Sequence, residues 1–144
     1  MAVTSDRKLV AVARDNNSIE VWTRDSWVQL LIIPGNKNCA IRNIHWLEKA
    51  ATTRTGDNGR NDTNPLYQND GQSRRLITTG LNGVVIEWDL LSHGVKAKHS
   101  VNAAIWCSKL VNKNLYLACE DGTVKLLKVK KESIELARQF LRAD

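Results

Sequence analysis

The sequence predicts an all-β fold built from repeated four-stranded units. Three thirteen-residue segments align without a gap, and each contains two short apolar runs separated by a tight turn. These segments are residues 10–22, 76–88 and 115–127. The second and third begin 39 residues apart, at Leu76 and Leu115. A period close to 40 residues is typical of repeats that each hold four short strands.

The turn at the centre of each segment predicts a β-hairpin. The central pairs are Asn16-Asn17, Asn82-Gly83 and Asp121-Gly122. A two-residue turn of the primed type requires positive φ at both central residues, which glycine adopts freely and asparagine or aspartate tolerates. Such pairs between apolar runs are the strongest short-range signal for a hairpin.

Further β-rich segments flank the hairpins and complete the four-stranded unit. They are residues 27–33, 40–47, 103–108 and 134–140. The last segment also contains residues that favour a helix, but its place in the repeat predicts a strand. Four strands per repeat and the Trp-Asp pair at Trp88-Asp89 predict a WD40-type β-propeller. Trp22 and Trp88 are then expected in the core between blades.

The predicted propeller is partial, with about three four-stranded blades. Blade 1 covers residues 8–34, blade 2 covers residues 39–100, and blade 3 covers residues 102–144. Only nine residues precede the first segment, so blade 1 is expected to lack its innermost strand. Because propellers close with about four to eight blades, the chain is not expected to close a ring alone. It is expected to be a piece of a longer protein or to stack on another chain.

A polar insertion, residues 49–73, interrupts blade 2 between its first and second strands. It is rich in Asn, Thr, Gly, Asp and Arg and nearly free of large apolar residues. Such a segment buries too little apolar surface to fold by itself. The sequence therefore predicts a mobile loop.

The composition is that of a soluble globular protein, with 42% hydrophobic and 25% charged residues among 144. No apolar run reaches the ~20 residues that a membrane helix needs, and the N-terminus lacks an apolar signal core. The three cysteines, Cys39, Cys107 and Cys119, have no paired spacing. This favours reduced thiols in the cytosol or nucleus over a disulfide framework or zinc site. Cys119 is expected to be a buried apolar residue.

Motifs for catalysis and for cofactor binding are absent from the sequence. The three histidines, His45, His93 and His99, do not have metal-ligand spacing. His45 is expected to be a core or an interblade residue with a satisfied side chain, and the other two are expected on the surface. The chain contains neither a nucleophile elbow nor a phosphate-binding glycine loop. The sequence therefore predicts no enzyme activity, no catalytic residues, no cofactor, no metal site, no small-molecule substrate and no membrane partner.

A positive net charge of six is the main sign of a polyanionic partner. The densest basic cluster is Lys125, Lys128, Lys130 and Lys131. These lysines are candidate contacts for RNA phosphates, or alternatively a solvated strand that protects a sheet edge. Apart from Tyr67 and Phe140, the aromatic residues fall on predicted core strands. Because single-stranded RNA binding uses exposed aromatics among basic residues, this pattern favours protein partners.

The order of these motifs resembles the N-terminal region of the cirhin family, the WD-repeat proteins of the small-subunit processome. The similarity covers nearly the whole chain except residues 49–73, and it is carried by residues 8–14, 18–22, 33–35, 80–90, 104–106 and 118–127. The turns Gly80-Leu-Asn-Gly83 and Cys119-Glu-Asp-Gly122 are its most specific part. The chain departs from the usual repeat at Asn36, where many WD repeats have a Gly-His pair after the turn.

The resemblance implies a non-catalytic scaffold of the nucleus and nucleolus that acts in pre-rRNA processing and small ribosomal subunit biogenesis. The implied partners are other WD-repeat and processome proteins, with indirect contact to pre-rRNA or a small nucleolar ribonucleoprotein. Two alternatives remain open. One is a WD-repeat adaptor of another complex, such as a ubiquitin ligase, and the other is direct binding to the RNA phosphate backbone.

Overall fold

The computed structural model describes residues 1–48, 65–67, 74–131 and 133–141. Within these residues, twelve β-strands form three antiparallel sheets of four strands each, which are the three blades. Blade 1 contains β1 (Ala2–Val3), β2 (Leu9–Ala13), β3 (Ile19–Thr23) and β4 (Gln29–Ile33). Blade 2 contains β5 (Ile41–Leu47), β6 (Arg75–Gly80), β7 (Val84–Asp89) and β8 (Gly94–Ser100). Blade 3 contains β9 (Ile105–Val111), β10 (Asn114–Cys119), β11 (Val124–Val129) and β12 (Ile134–Phe140).

Blade 1 has the innermost strand that the sequence was expected to lack. The strand β1 pairs with β2 through Ala2 opposite Ala11 and Val3 opposite Val10. Thr4 fixes the connection, because its hydroxyl oxygen accepts a hydrogen bond from the Leu9 N–H at 3.1 Å. The expectation was wrong because two residues are too few to show the alternation that identifies a strand.

The three predicted hairpins form, but the predicted turn type is wrong. Positive φ occurs only at the second residue of each pair, at 65° in Asn17, 75° in Gly83 and 81° in Gly122. The first residue instead accepts a hydrogen bond on its side-chain oxygen from the N–H two residues later, at 3.0 Å for Asn16 and Asp121 and at 3.4 Å for Asn82. The Asn17 N–H also donates to the Arg14 carbonyl at 2.9 Å. This is the pattern of a type I turn followed by one left-handed residue.

Two apolar layers hold the three blades together. The layer between blades 1 and 2 includes Leu9, Val21, Ile86 and Trp88. The layer between blades 2 and 3 includes Ile77, Val85, Leu115, Leu117 and Leu127. Blade 2 is therefore buried on both faces, which explains why its central strands read as almost continuous apolar runs.

The two tryptophans predicted for the core differ in their environment. Trp88 is buried, and its indole N–H donates to the Thr78 hydroxyl at 2.9 Å. Trp22 is half-buried and belongs to neither apolar layer, and its indole N–H donates to Glu20 at 3.1 Å. The prediction was therefore correct for Trp88 and wrong for Trp22, because Trp22 lies opposite Val10 rather than on the face that carries Val21.

Most of the predicted mobile insertion, residues 49–73, lies outside the described residues. Its described part, residues 65–67, includes the buried Leu66, which joins the apolar layer between blades 1 and 2. The Leu66 carbonyl accepts a hydrogen bond from the Arg74 N–H at 2.8 Å. Leu66 thus contributes to the core, which the sequence did not indicate because one leucine in a polar stretch produces no periodic signal.

Candidate interaction surface

A hydrogen-bonded chain of side chains crosses from blade 2 to blade 3. His45 Nε2 lies 2.7 Å from the Ser108 hydroxyl, which lies 2.7 Å from the Thr79 hydroxyl. The Ser108 N–H also donates to Asn43 Oδ1 at 3.2 Å. Burial lowers the pKa of His45, and the N-terminal amine adds a smaller effect in the same direction. His45 is thus an interblade residue, as the sequence predicts.

The lowered pKa of His45 should make the chain less stable in mild acid. The unfolded histidine titrates near pH 6.5, whereas the folded one does so at lower pH. Between these two pKa values the unfolded state binds more protons than the folded state. The free energy of unfolding should therefore fall as the pH drops below ~6.5. Urea-unfolding midpoints between pH 7.5 and pH 5 measure this loss. His45→Gln should reduce the loss of stability at low pH, and the exposed His93→Gln should not. An equal loss in the parent and in both variants would contradict the role of His45.

A buried carboxylate, that of Glu87, is the centre of a second network. Its side chain is only 2% exposed. Arg75 donates to its two oxygens at 2.9 Å and 2.5 Å, and the Lys96 ammonium lies 3.3 Å away. The same guanidinium also donates to the Lys130 carbonyl at 2.8 Å. Glu87 thus joins the three neighbouring strands β6, β7 and β8 of blade 2, and Arg75 connects this network to blade 3.

Arg74 forms a comparable connection between blades 1 and 2. Its buried guanidinium pairs with Asp6 and with Glu48, the latter at 3.4 Å, and its Nε donates to the Pro65 carbonyl at 2.8 Å. The Glu48 oxygens accept hydrogen bonds from the Ser5 N–H at 2.9 Å and 2.8 Å. Burial acts to raise the pKa of Asp6, but hydrogen bonds from Thr4 and Arg74 hold it below its usual value.

The four lysines predicted as phosphate contacts do not share one surface. Lys125 is 5% exposed, and its ammonium donates to Asp121 at 3.1 Å and to Thr123 at 2.7 Å. Lys125 therefore cannot reach a phosphate in this structure. The hydrogen bonds from Thr123 and then Lys125 lower the pKa of Asp121. Lys128, Lys130 and Lys131 are exposed, and the Lys130 ammonium forms a surface ion pair with Glu135 at 2.7 Å.

Exposed aromatic residues are more numerous than the sequence predicts. Trp27, Trp106, Tyr116 and Phe140 are exposed, and Tyr67 is half-buried. Trp106 is 50% exposed, and the Arg42 guanidinium carbon lies 5.6 Å from the centroid of its ring. The expectation that nearly all aromatics lie in the core was therefore wrong. Arg42 had no sequence signal as a functional residue, because neither its neighbours nor its spacing distinguishes it.

The remaining histidines and cysteines offer no assembled reactive centre. His93 is exposed with a φ of 61°, whereas His99 lies half-buried in β8 rather than on the surface. Cys119 is buried as predicted, and burial raises the pKa of its thiol. In the part of the chain that the structure describes, no group of three or more His, Cys, Asp or Glu could hold a metal ion. The same residues contain no helix long and apolar enough to cross a membrane.

Solved structures with the same arrangement of blades are similar to nearly the whole chain. The C-terminal WD40 domain of Sif2 aligns with a TM-score of 0.69 and 17% identity, over 99% of this chain and 36% of that domain. The fold is that of a WD40 β-propeller. A chain of the mitotic checkpoint complex aligns with a TM-score of 0.68 and 14% identity, over 99% of this chain and 39% of that one. The three blades thus correspond to a little over a third of each neighbour and form an open stack.

Comparison of sequences finds relatives named for a small nucleolar RNA. U3 small nucleolar RNA-associated protein 4 of Saccharomyces cerevisiae is 30% identical over 129 residues, which is 87% of this chain and 14% of that protein. Its Homo sapiens homologue is 25% identical over 146 residues, 99% of this chain and 18% of that protein. The chain thus spans less than a fifth of these relatives. No family model matches it. Cirhin is the homologue of these proteins, so they support the resemblance seen in the sequence.

Proposed function

We propose that this chain is part of a non-catalytic WD40 scaffold that acts in pre-rRNA processing within the small-subunit processome, in the nucleolus. The observation that carries the proposal is the similarity to U3 small nucleolar RNA-associated protein 4, which extends over 87% of the chain in the yeast relative. The proposed partners are other WD-repeat and processome proteins.

The placement of the polar side chains supports a scaffold over an enzyme. His45 bonds to Ser108 of the neighbouring blade. Arg74 and Glu87 each have several polar partners that join strands or blades. These polar groups are thus occupied by structural contacts. The exposed surface instead carries lysines and aromatic side chains, which are suited to binding.

Association with the U3 ribonucleoprotein tests the proposed function. The protein, tagged at its own locus, should enrich U3 small nucleolar RNA and processome proteins over an unrelated WD40 protein that carries the same tag. Depletion should cause unprocessed pre-rRNA to accumulate on a northern blot. Enrichment of ubiquitin-ligase subunits without U3 RNA would instead support the adaptor alternative and contradict the proposal.

Contact between the exposed lysines and RNA phosphates is a second candidate function, favoured by the positions of Lys128, Lys130 and Lys131 in blade 3. Each of these three lysines can be replaced by Ala. Every replacement that removes a phosphate contact should lower the slope of log affinity against log salt concentration by about 0.7 for single-stranded RNA. Lys125→Ala is the matched control, because the buried Lys125 should affect stability and leave the slope unchanged. A preference for one RNA sequence that does not depend on salt would contradict an electrostatic contact.

A further inference from the structure

Arg42 and Trp106 occupy equivalent irregular positions on neighbouring blades. In blade 2, β5 pairs with β6 at Ile41 and again at Asn43, so the pairing skips Arg42. In blade 3, β9 pairs with β10 at Ile105 and again at Cys107, so the pairing skips Trp106. A bulge leaves one residue unpaired and redirects its side chain. Since β5 and β9 are edge strands of their sheets and contact each other, the two redirected side chains meet between the blades.

The binding groups of this pair are largely unoccupied. The 5.6 Å between the guanidinium carbon and the ring centroid is within the range of a cation–π contact. Among the described residues, Arg42 forms neither an ion pair nor a hydrogen bond, and the Trp106 indole N–H has no acceptor. Half of the Trp106 side chain is exposed. An incoming ligand therefore meets a flat aromatic surface beside a guanidinium with free donors.

We propose that Arg42 and Trp106 form a binding site for one unpaired nucleotide of single-stranded RNA. The base stacks on the exposed surface of the Trp106 indole, and the adjacent phosphate accepts hydrogen bonds from Arg42. This inference rests on the proposed function, because it names the RNA class that a scaffold of pre-rRNA processing contacts directly.

The chemistry of the pair favours single-stranded RNA over the other candidate ligands. Every base has a flat surface that stacks on an aromatic ring, and arginine matches the geometry of phosphate. The bases of an RNA duplex are stacked on each other and cannot reach Trp106. An acidic peptide could occupy Arg42, but its carboxylates would leave the indole without a stacking partner. The positive net charge of six also favours a polyanion.

Direct binding measurements test the site with variants of the full chain. The probes are a fluorescein-labelled twelve-nucleotide oligouridine, a twelve-base-pair RNA duplex and a labelled oligoglutamate peptide. Trp106→Ala should weaken oligouridine binding roughly 5- to 150-fold, the range expected for one lost base–aromatic stack. Trp106→Phe should retain part of the affinity, and Arg42→Ala should weaken it as well. Trp27→Ala is the matched control, because it removes an exposed tryptophan at a different place.

Each outcome decides for or against the site. Duplex affinity should be the same for the parent and for Trp106→Ala. Ultraviolet crosslinking of the unmodified chain to oligouridine should modify the peptide that contains Trp106, a result that does not depend on how a variant folds. The proposal would be overturned if Trp106→Ala bound oligouridine with an affinity within twofold of the parent. It would also be overturned if Trp106→Ala lost only its binding to oligoglutamate. If the protein still enriches U3 RNA in cells when that happens, the proposed function survives and only this site is wrong.

Discussion

Replacing Arg75 by Ala should lower the free energy of unfolding by ~3–5 kcal/mol, because it removes one partner of a buried ion pair. The Glu87 carboxylate is 2% exposed, and Arg75 bonds to both of its oxygens. Without Arg75, one oxygen keeps only the partly exposed Lys96 and the other has no cationic partner. Urea unfolding followed by circular dichroism, with all proteins at one concentration, measures the effect.

Two further variants separate the loss of the ion pair from the loss of packing. Lys96→Ala should cost less than ~1 kcal/mol, since Lys96 is 40% exposed and its interaction with Glu87 is screened by solvent. The double change Arg75→Met with Glu87→Leu should recover much of the stability, because no charge is then left buried without a partner. Equal effects of Arg75→Ala and Lys96→Ala would show that burial of this pair does not control stability.

The isolated 144-residue chain should associate or aggregate at micromolar concentration instead of forming a compact, stable monomer. The outer face of blade 3 carries exposed apolar side chains among charged ones and faces solvent. Cross-strand pairing places Tyr116 opposite Leu126 and Val124 opposite Phe140 on that face. Exposed apolar patches promote association, and unpaired strand edges recruit further strands. Leu115 and Leu117 are fully buried against blade 2 and take no part.

Sedimentation velocity with hydrogen exchange measures this association. Val124→Lys should shift the distribution toward the monomer, because it places a charge beside the exposed Phe140. Lys113→Glu is a suitable control, since this exposed residue lies outside the strands. If the parent chain were a monomer with cooperative, well-protected amide hydrogens, the open stack would be stable by itself and the expectation would be wrong.

The fold was predictable from sequence because its signals are local. The pairs Asn82-Gly83 and Asp121-Gly122 lie between apolar runs at a constant spacing, and that was sufficient to find two hairpins and the repeat. The strand β1 was missed because it has two residues. The turn type was missed because the side-chain hydrogen bonds of Asn16 and Asp121 compete with the primed conformation.

The candidate site was much less predictable, because it depends on register. Trp106 is exposed because of a bulge, and a bulge is defined by the partner strand rather than by the residue. Lys125 resembles its neighbouring lysines in the sequence, but its direction in β11 places it with Leu127 on the buried face. Sequence patterns give the composition of a strand, whereas the face that each side chain occupies is set by pairing.

The chain of hydrogen bonds from His45 through Ser108 to Thr79 makes the contact between blades 2 and 3 specific. Blades built on one repeat have similar apolar faces, so apolar packing alone would allow them to stack in the wrong order. A blade without a serine at the position of Ser108 would leave the half-buried His45 and the buried Thr79 without this partner, at ~1–3 kcal/mol for the buried Thr79 hydroxyl. The polar residues in this interface therefore favour the pairing of blade 2 with blade 3 over other arrangements of the same blades.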